Sequence, residues 1–133
     1  MIVLDEQLLG LNLDQEIASW YAGAVLFITD LRPGTVIKDD AIPALLRRQQ
    51  QPTFVTINER DFWRKVAIDG HFCVACFALP DSRAREIAEL LRALFRHKEF
   101  QSKAERMGKV ARVTEREVSY YTASDNQIRS LTS

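Results

Sequence analysis

Apolar and polar positions fall in short blocks along the chain, and each block predicts an element. Met1–Leu4 is an apolar run cut off at Asp5-Glu6, the pattern of a short strand. Leu13, Ile17, Trp20 and Tyr21 recur at helical spacing, with Asp14 and Glu16 in the first turn, where the helix dipole favours acids; Gly23 ends that helix. Ala24–Ile28 predicts a buried strand, and Thr29–Lys38 a loop that turns at Pro33-Gly34. Ile42, Leu45 and Leu46 make the apolar face of a helix that Asp39 or Asp40 can cap, with Pro43 tolerated in its first turn. Pro52–Thr56 predicts a third strand, which runs into the polar segment Ile57–Asp61, and Phe72–Leu79 a fourth.

The clearest helix opens at Pro80-Asp81-Ser82. Ala84, Ile87, Ala88, Leu91, Leu94 and Phe95 form its apolar stripe, with Arg85, Glu86, Glu89, Arg92 and Arg96 outside it or at its border. A second helical piece covers Glu99–Arg106 and stops at Gly108. Val110–Val113 and Val118–Tyr121 predict a closing pair of strands, placing one of Tyr120 and Tyr121 inward and the other outward. The polar tail 123–133 is expected to fray. Strand–helix alternation with continuous apolar strands predicts an α/β sandwich around a mainly parallel sheet, in one domain over residues 1–122. In such sheets ligands sit outside the carboxyl ends of the strands, so the residues just past each strand are where chemistry is expected.

Composition narrows the classes. The chain has 133 residues, enough for one real core; 27% are charged and 47% hydrophobic, which excludes a disordered chain. Its 18 basic and 18 acidic side chains cancel, so no global field holds a polyanion and nucleic-acid binding must rest on a local patch. No apolar run reaches membrane-spanning length, and the start, MIVLDEQ, lacks the basic region of a signal peptide; a cytoplasmic protein without a membrane partner is expected. Cys73 and Cys76 form a C-x-x-C inside an apolar run. On a strand, residues three apart face opposite ways, so these thiols read as core residues rather than a redox pair or zinc site.

Carboxylates follow each of the first three strands. Asp5-Glu6 come after the first, Asp30 and then Asp39-Asp40 after the second, Asn58 and Asp61 after the third. In a parallel sheet all project from one edge. Oxygen-only ligands suit a hard divalent cation, which could activate water against a phosphodiester. The plainer readings are local: Asp39 or Asp40 as a helix cap, Asp61 capping a turn that begins at Phe62, and Asp30 starting a turn.

MIVLDEQL resembles the "LDE-N-L" opening of a small group of PIN-like proteins related to the PIN-domain nucleases. Ile28-Thr29-Asp30-Leu31 followed by Asp39-Asp40-Ala41-Ile42 is similar to that group's acidic loop leading into a D-x-x-I helix. The segment Phe54–Phe62 is similar to its T-x-D-x-D-F element. The resemblance spans residues 1 to about 120 in element order. It implies a three-layer α/β/α PIN-like fold with an acidic cleft for Mg²⁺ or Mn²⁺, and ribonuclease activity, often as the toxin of a toxin–antitoxin pair. By that resemblance Asp5, Asp39 and Asp61 are the catalytic metal carboxylates, with Asp40 and Asn58 assisting. Asn58 stands where the family more often has Asp; an amide keeps one oxygen ligand but loses a charge. Glu6 and Asp30 are further candidates for the cleft.

Charge is uneven: residues 1–82 carry 7 basic and 11 acidic groups, residues 83–133 carry 11 and 7. Arg47-Arg48 and Arg60, Arg64 and Lys65 flank the acidic edge, and the last three are candidate phosphate contacts. His71 and His97 have no nucleophile partner in sight, and the chain has neither G-x-G-x-x-G nor G-x-x-x-x-G-K-[ST]. The expected partners are an RNA substrate, an antitoxin-like protein and a second copy of the chain, the helix bearing Leu91, Leu94 and Phe95 having apolar area for dimerisation. A PIN-like module that binds RNA or protein without cutting is the alternative, and a phosphoacceptor domain ranks last because no Lys ends a late strand.

Overall fold

Ile2, Val3 and Leu4 are completely buried, which three consecutive strand residues achieve only when both faces of their sheet are covered. A computed structural model describes residues 1–132 and shows that sheet. Its seven strands lie in the order β2-β1-β3-β4-β5-β6-β7: β1 (Ile2–Leu4), β2 (Val25–Phe27), β3 (Thr53–Thr56), β4 (Cys73–Phe77), β5 (Lys109–Val113), β6 (Glu117–Thr122) and β7 (Asp125–Thr132). The pairs from β2 across to β5 are parallel, and β6 and β7 close the sheet antiparallel. The expected α/β/α sandwich around a mainly parallel sheet is the observed architecture.

Two apolar layers follow from the period-2 alternation of the strands. On one face α1 (Leu13–Ala18) and α5 (Ile87–Leu94) pack Leu13, Ile17, Ile87, Leu91 and Leu94 onto Ile2, Leu4, Val55, Ala75 and Phe77. On the other, α2 (Ile28–Leu31), α3 (Ile42–Arg47) and α4 (Glu59–Phe62) pack Ile28, Ile42, Leu46 and Phe62 onto Val3, Phe54, Val74 and Cys76. Cys73 belongs to the first layer and Cys76 to the second, so the C-x-x-C is split across the sheet. Burial pushes the Cys73 thiol up to about 12 and raises Cys76 as well, leaving both inert at neutral pH. Gly23, where α1 hands over to β2, leaves room for the Tyr21 ring, which would have to shift for a Cβ 2.7 Å away.

Several local expectations change. The expected helix through Glu99–Arg106 is a 3₁₀ turn at Lys98–Phe100 followed by α6 (Lys103–Arg106), ending before Gly108, whose φ is +78°. Residues 28–31 of the expected strand and loop turn into α2, and the polar segment after β3 coils into α4. The expected frayed tail is instead β7, held antiparallel against β6; Ser133 lies outside the described residues. Polar composition misled there because an edge strand shows most of its side chains to water. Tyr120 and Tyr121 do face opposite ways, but both are buried, since each face of the sheet is covered at that point. The stripe on α5 is spent internally: Leu91 and Leu94 are in the core, and Phe95 packs on Trp20 and Tyr21 with ring centroids 6.1 and 6.3 Å away. Among the described residues no helix is long and apolar enough to cross a membrane.

Core and edge should respond very differently to truncation. Leu91→Ala is expected to cost about 3 kcal/mol, as buried Leu truncations do. Ile128→Ser, at a β7 position that is 54% exposed, should change stability by less than about 0.5 kcal/mol. Urea unfolding of both variants measures the contrast.

Candidate active site

The strand order contains one topological switch. From β1 the chain passes to β2 on one side through α1, and then to β3 on the other side through α3, on the opposite face. The crevice beyond the carboxyl ends of β1 and β3 is therefore the place where an α/β sheet opens to a ligand. Parallel pairing sets Leu4 against Val55, and the Asp5 backbone N–H donates to the Val55 carbonyl at 2.9 Å. That register brings the Thr56 hydroxyl onto Asp5, to whose Oδ2 it donates at 2.6 Å.

From there a chain of hydrogen bonds crosses the crevice. The Thr56 hydroxyl accepts the Asn58 backbone N–H at 3.0 Å. Asn58 caps α4, its Oδ1 accepting the Asp61 N–H at 3.2 Å, while its Nδ2 donates to Asp61 Oδ2 at 2.7 Å. The Asp61 carboxylate in turn lies within hydrogen-bonding reach of Asp39. Asp5, Asp39 and Asp61, more than twenty residues apart in every pairing, are thus joined end to end through Thr56 and Asn58.

The electrostatics follow from this chain. Burial pushes the Asp5 carboxyl up, against the opposing pull of the Thr56 hydroxyl and the nearby Glu6 and Gln7 N–H groups. Asp39 is also raised, first by loss of water and then by its contact with Asp61, with Asp5 and Glu6 adding repulsion. Asp61 is held low, first by the Asn58 amide and then by Asp39, with Lys65 and Arg60 helping. Their contact therefore drives the two carboxyls of the Asp39–Asp61 pair apart, Asp39 upward and Asp61 downward.

Other expected residues fall outside the network. Among the described residues no group of three or more His, Cys, Asp and Glu side chains stands close enough to hold a metal ion. The five-residue set of Asp5, Asp39, Asp40, Asn58 and Asp61 is not assembled around one point. Asp5 is 5% exposed and turned to Thr56, and the Asn58 amide is engaged with Asp61 through both its oxygen and its nitrogen. Asp40 is exposed in the 3₁₀ turn Asp39–Ala41, and the cap position of α3 falls to Ala41 and to neither acid. Asp30 bonds the Phe27 N–H at 2.9 Å, the local turn role. Asp61 sits inside α4 and does not cap it.

Two clefts meet at Asp61. One, of about 790 Å³, runs past Gln7, Leu11, Asn58, Arg60 and Asp81; the other, of about 420 Å³, holds Asp39, Asp40, Pro43 and Lys65. Arg60 lines the first cleft and Lys65 the second. Arg64 does not join them: its guanidinium donates to the Asn126 carbonyl at 2.6 Å and lies 4.8 Å over the Tyr121 ring, fastening α4 to the sheet edge. Arg47 is also engaged elsewhere, paired with Asp69 on the loop entering β4. Sequence reasoning missed Thr56 as a site residue, although it opens the T-x-D-x-D-F-like element, and missed Glu59, whose carboxylate pairs with Arg112 of β5 at 2.5 Å.

Comparison with known proteins adds a partial likeness. The chain is similar to GTPase Der from Halorhodospira halophila (strain DSM 244 / SL1), 34% identical over 83 residues, a stretch covering 56% of this chain. The chain spans only 16% of that protein's length. No family model and no solved structure matches the chain.

The burial of Asp5 makes a pH-dependent prediction. A carboxyl whose folded pKa is raised withdraws stability as pH climbs through that pKa, whereas below the ordinary value near 3.9 it is protonated in both states and withdraws none. An amide in its place does not titrate. The melting temperature of Asp5→Asn relative to wild type should therefore fall by about 2–5 °C between pH 7 and pH 4. Thermal melts in chelator at the two pH values give the comparison; a constant difference would contradict the raised Asp5.

Proposed function

We propose that the protein is a PIN-like ribonuclease that uses Mg²⁺ or Mn²⁺ to cut RNA. The observation that carries this reading is the hydrogen-bonded chain from Asp5 through Thr56, Asn58 and Asp61 to Asp39 at the sheet's switch point. The donor chemistry fits such an ion: the groups are carboxylate oxygens, and two of them meet beside open clefts. Mg²⁺ takes one or two carboxylates and completes its shell with water and substrate phosphate, so an Asp39–Asp61 pair is sufficient without a third ligand. When bound, the ion supplies an activated water and neutralises charge developing on a phosphodiester.

The residues of the chain do the rest. Asp39 and Asp61 would hold the ion. Asn58 and Thr56 fix the directions of Asp61 and Asp5. The buried Asp5 charge stands behind the pair and favours a cation in front of it. Arg60 and Lys65, one in each cleft, take phosphates on either side of the scissile bond. A cytoplasmic setting, an antitoxin-like partner and a homodimer belong to the same proposal. Guanine-nucleotide hydrolysis is not proposed, because the likeness to GTPase Der is partial and the chain lacks a G-x-x-x-x-G-K-[ST] loop.

A second reading, RNA binding without cleavage, is favoured by the meeting of only two carboxylates. One assay separates the two. A fluorescent single-stranded RNA is incubated with Mn²⁺ or with EDTA, and cleavage and retention by the protein are followed together. The nuclease reading expects cleavage with Mn²⁺, none with EDTA, and a loss of about 100-fold or more in Asp61→Asn. Retention without cleavage in Mn²⁺ would replace it with the binding reading.

A further inference from the structure

We infer that a small pocket just past α4 is a subsite for one unstacked base of a single-stranded RNA, which lies against the guanidinium plane of Arg64. The inference rests on the ribonuclease reading above. The pocket, of about 230 Å³, is lined by Arg64, Val66, Ile68, Tyr121 and Asn126. Val66 also lines the cleft that holds Asp39, Asp61 and Lys65, and Ile68 also lines a hollow of about 570 Å³ at Gly70 and Gly108. Asp61 is already common to the two larger clefts. Four hollows therefore follow one another across the surface, each joined to the next by a shared wall residue. Such a row fits an extended polymer better than a compact ligand. A strand drawn past Asp61 has its next units over Lys65 and then over Arg64.

Arg64 is held so as to present a flat face rather than a free charge. Its backbone is left-handed, with φ +63°, a conformation that a residue with a side chain rarely adopts and that its surroundings must maintain. Three contacts maintain it. The Arg64 N–H donates to the Tyr121 hydroxyl at 3.2 Å, its Nη1 donates to the Asn126 carbonyl at 2.6 Å, and the guanidinium carbon lies 4.8 Å from the Tyr121 ring centroid. Tyr121 is buried and Trp63 packs on it with centroids 5.1 Å apart, so the support under the guanidinium is firm. Tyr121 covers one face of that plane; Arg64 is exposed, and its other face meets water. Unpaired RNA bases stack on such planes, and a guanidinium, unlike an ammonium, has one to offer. Half-buried Val66 and Ile68 give a base apolar walls. Exposed Asn126 adds a carboxamide, whose donor beside an acceptor matches a base edge. A phosphate is served less well, because one Arg64 donor is already engaged by a carbonyl and, among the described residues, no second cation lines the pocket.

The test compares two fluorescent strands of equal length, an oligouridylate and the same ribose-phosphate backbone without bases. Both are titrated with the full chain in Ca²⁺, and thermal melts are run in parallel. Wild type is expected to bind the oligouridylate about 10-fold more tightly, the order of one stacked base. Arg64→Lys keeps the charge and loses the plane. It is expected to bind the oligouridylate about 10-fold more weakly than wild type does and the base-free strand equally well, which brings the ratio of the two close to one. Arg64→Gly, which the left-handed backbone accepts readily, is expected to melt close to wild type and to show the same loss of base dependence. A base dependence that survives in both variants would leave Arg64 a fastening between α4 and the sheet and overturn the inference. If one variant fails to fold, the other decides. Equal affinity of wild type for the two strands would remove the base subsite alone, whereas retention of neither strand would remove the RNA reading together with it.

Discussion

The bond from the Thr56 hydroxyl to the Asp5 carboxylate is the constraint on which the rest of the crevice depends. Both residues are buried, and a carboxylate withdrawn from water needs a donor or gives up its charge. The donor comes from an adjacent strand fifty-one residues away and arrives only because β1 and β3 pair in parallel with Leu4 opposite Val55. A shift of one residue would turn Thr56 to the other face and put an apolar side chain against Asp5. Strand register and site geometry are thus one fact. The apolar layers above and below Ile2, Leu4, Val3 and Phe54 enforce the register, and the register delivers the hydroxyl.

From that anchor the order of the site decreases outward. Thr56 is held in the core, Asn58 is half-buried and held by Thr56, and Asp61 is exposed and held by Asn58. Asp39 comes last, on a 3₁₀ turn with no capping bond of its own. Preorganisation is therefore strongest at Asp5 and weakest at Asp39.

The sequence revealed those elements whose burial leaves a period. The continuous runs at residues 2–4 and 72–79 identified strands covered on both faces, and the stripe from Ala84 to Leu94 identified α5, whereas the run at 24–28, expected to be buried, is the half-buried edge strand β2. Of the acidic residues past the first three strands, Asp5, Asp39 and Asp61 come together at the switch-point crevice. What could not be read was anything set by a partner distant in sequence. β7 looks like a frayed tail because its stability comes from β6 and not from its own apolar content. Arg64 looks like a phosphate contact until Asn126 and Tyr121 are beside it. Asn58 looks like a weakened ligand because its two bonds depend on a short helix that polar residues 57–61 do not announce. Thr56 looks like any β-branched strand residue, its hydroxyl being distinguished only by what lies opposite.

The sign of the local field limits what this crevice can accept. A nucleotide-binding loop of the G-x-x-x-x-G-K-[ST] kind offers phosphate a nest of N–H groups and a lysine just beyond the first strand. Here the first strand ends instead on a buried carboxylate, with Glu6 next to it and the Asp39–Asp61 pair in front. A bare phosphate at that spot meets like charge on every near side. It can approach the crevice only from the flanks, where Arg60 and Lys65 stand, or with a divalent cation interposed between it and the acids. The partial likeness to a GTPase therefore carries no nucleotide chemistry into this site, and under the reading proposed above it is a cation-bridged phosphodiester that would satisfy its charges on both sides.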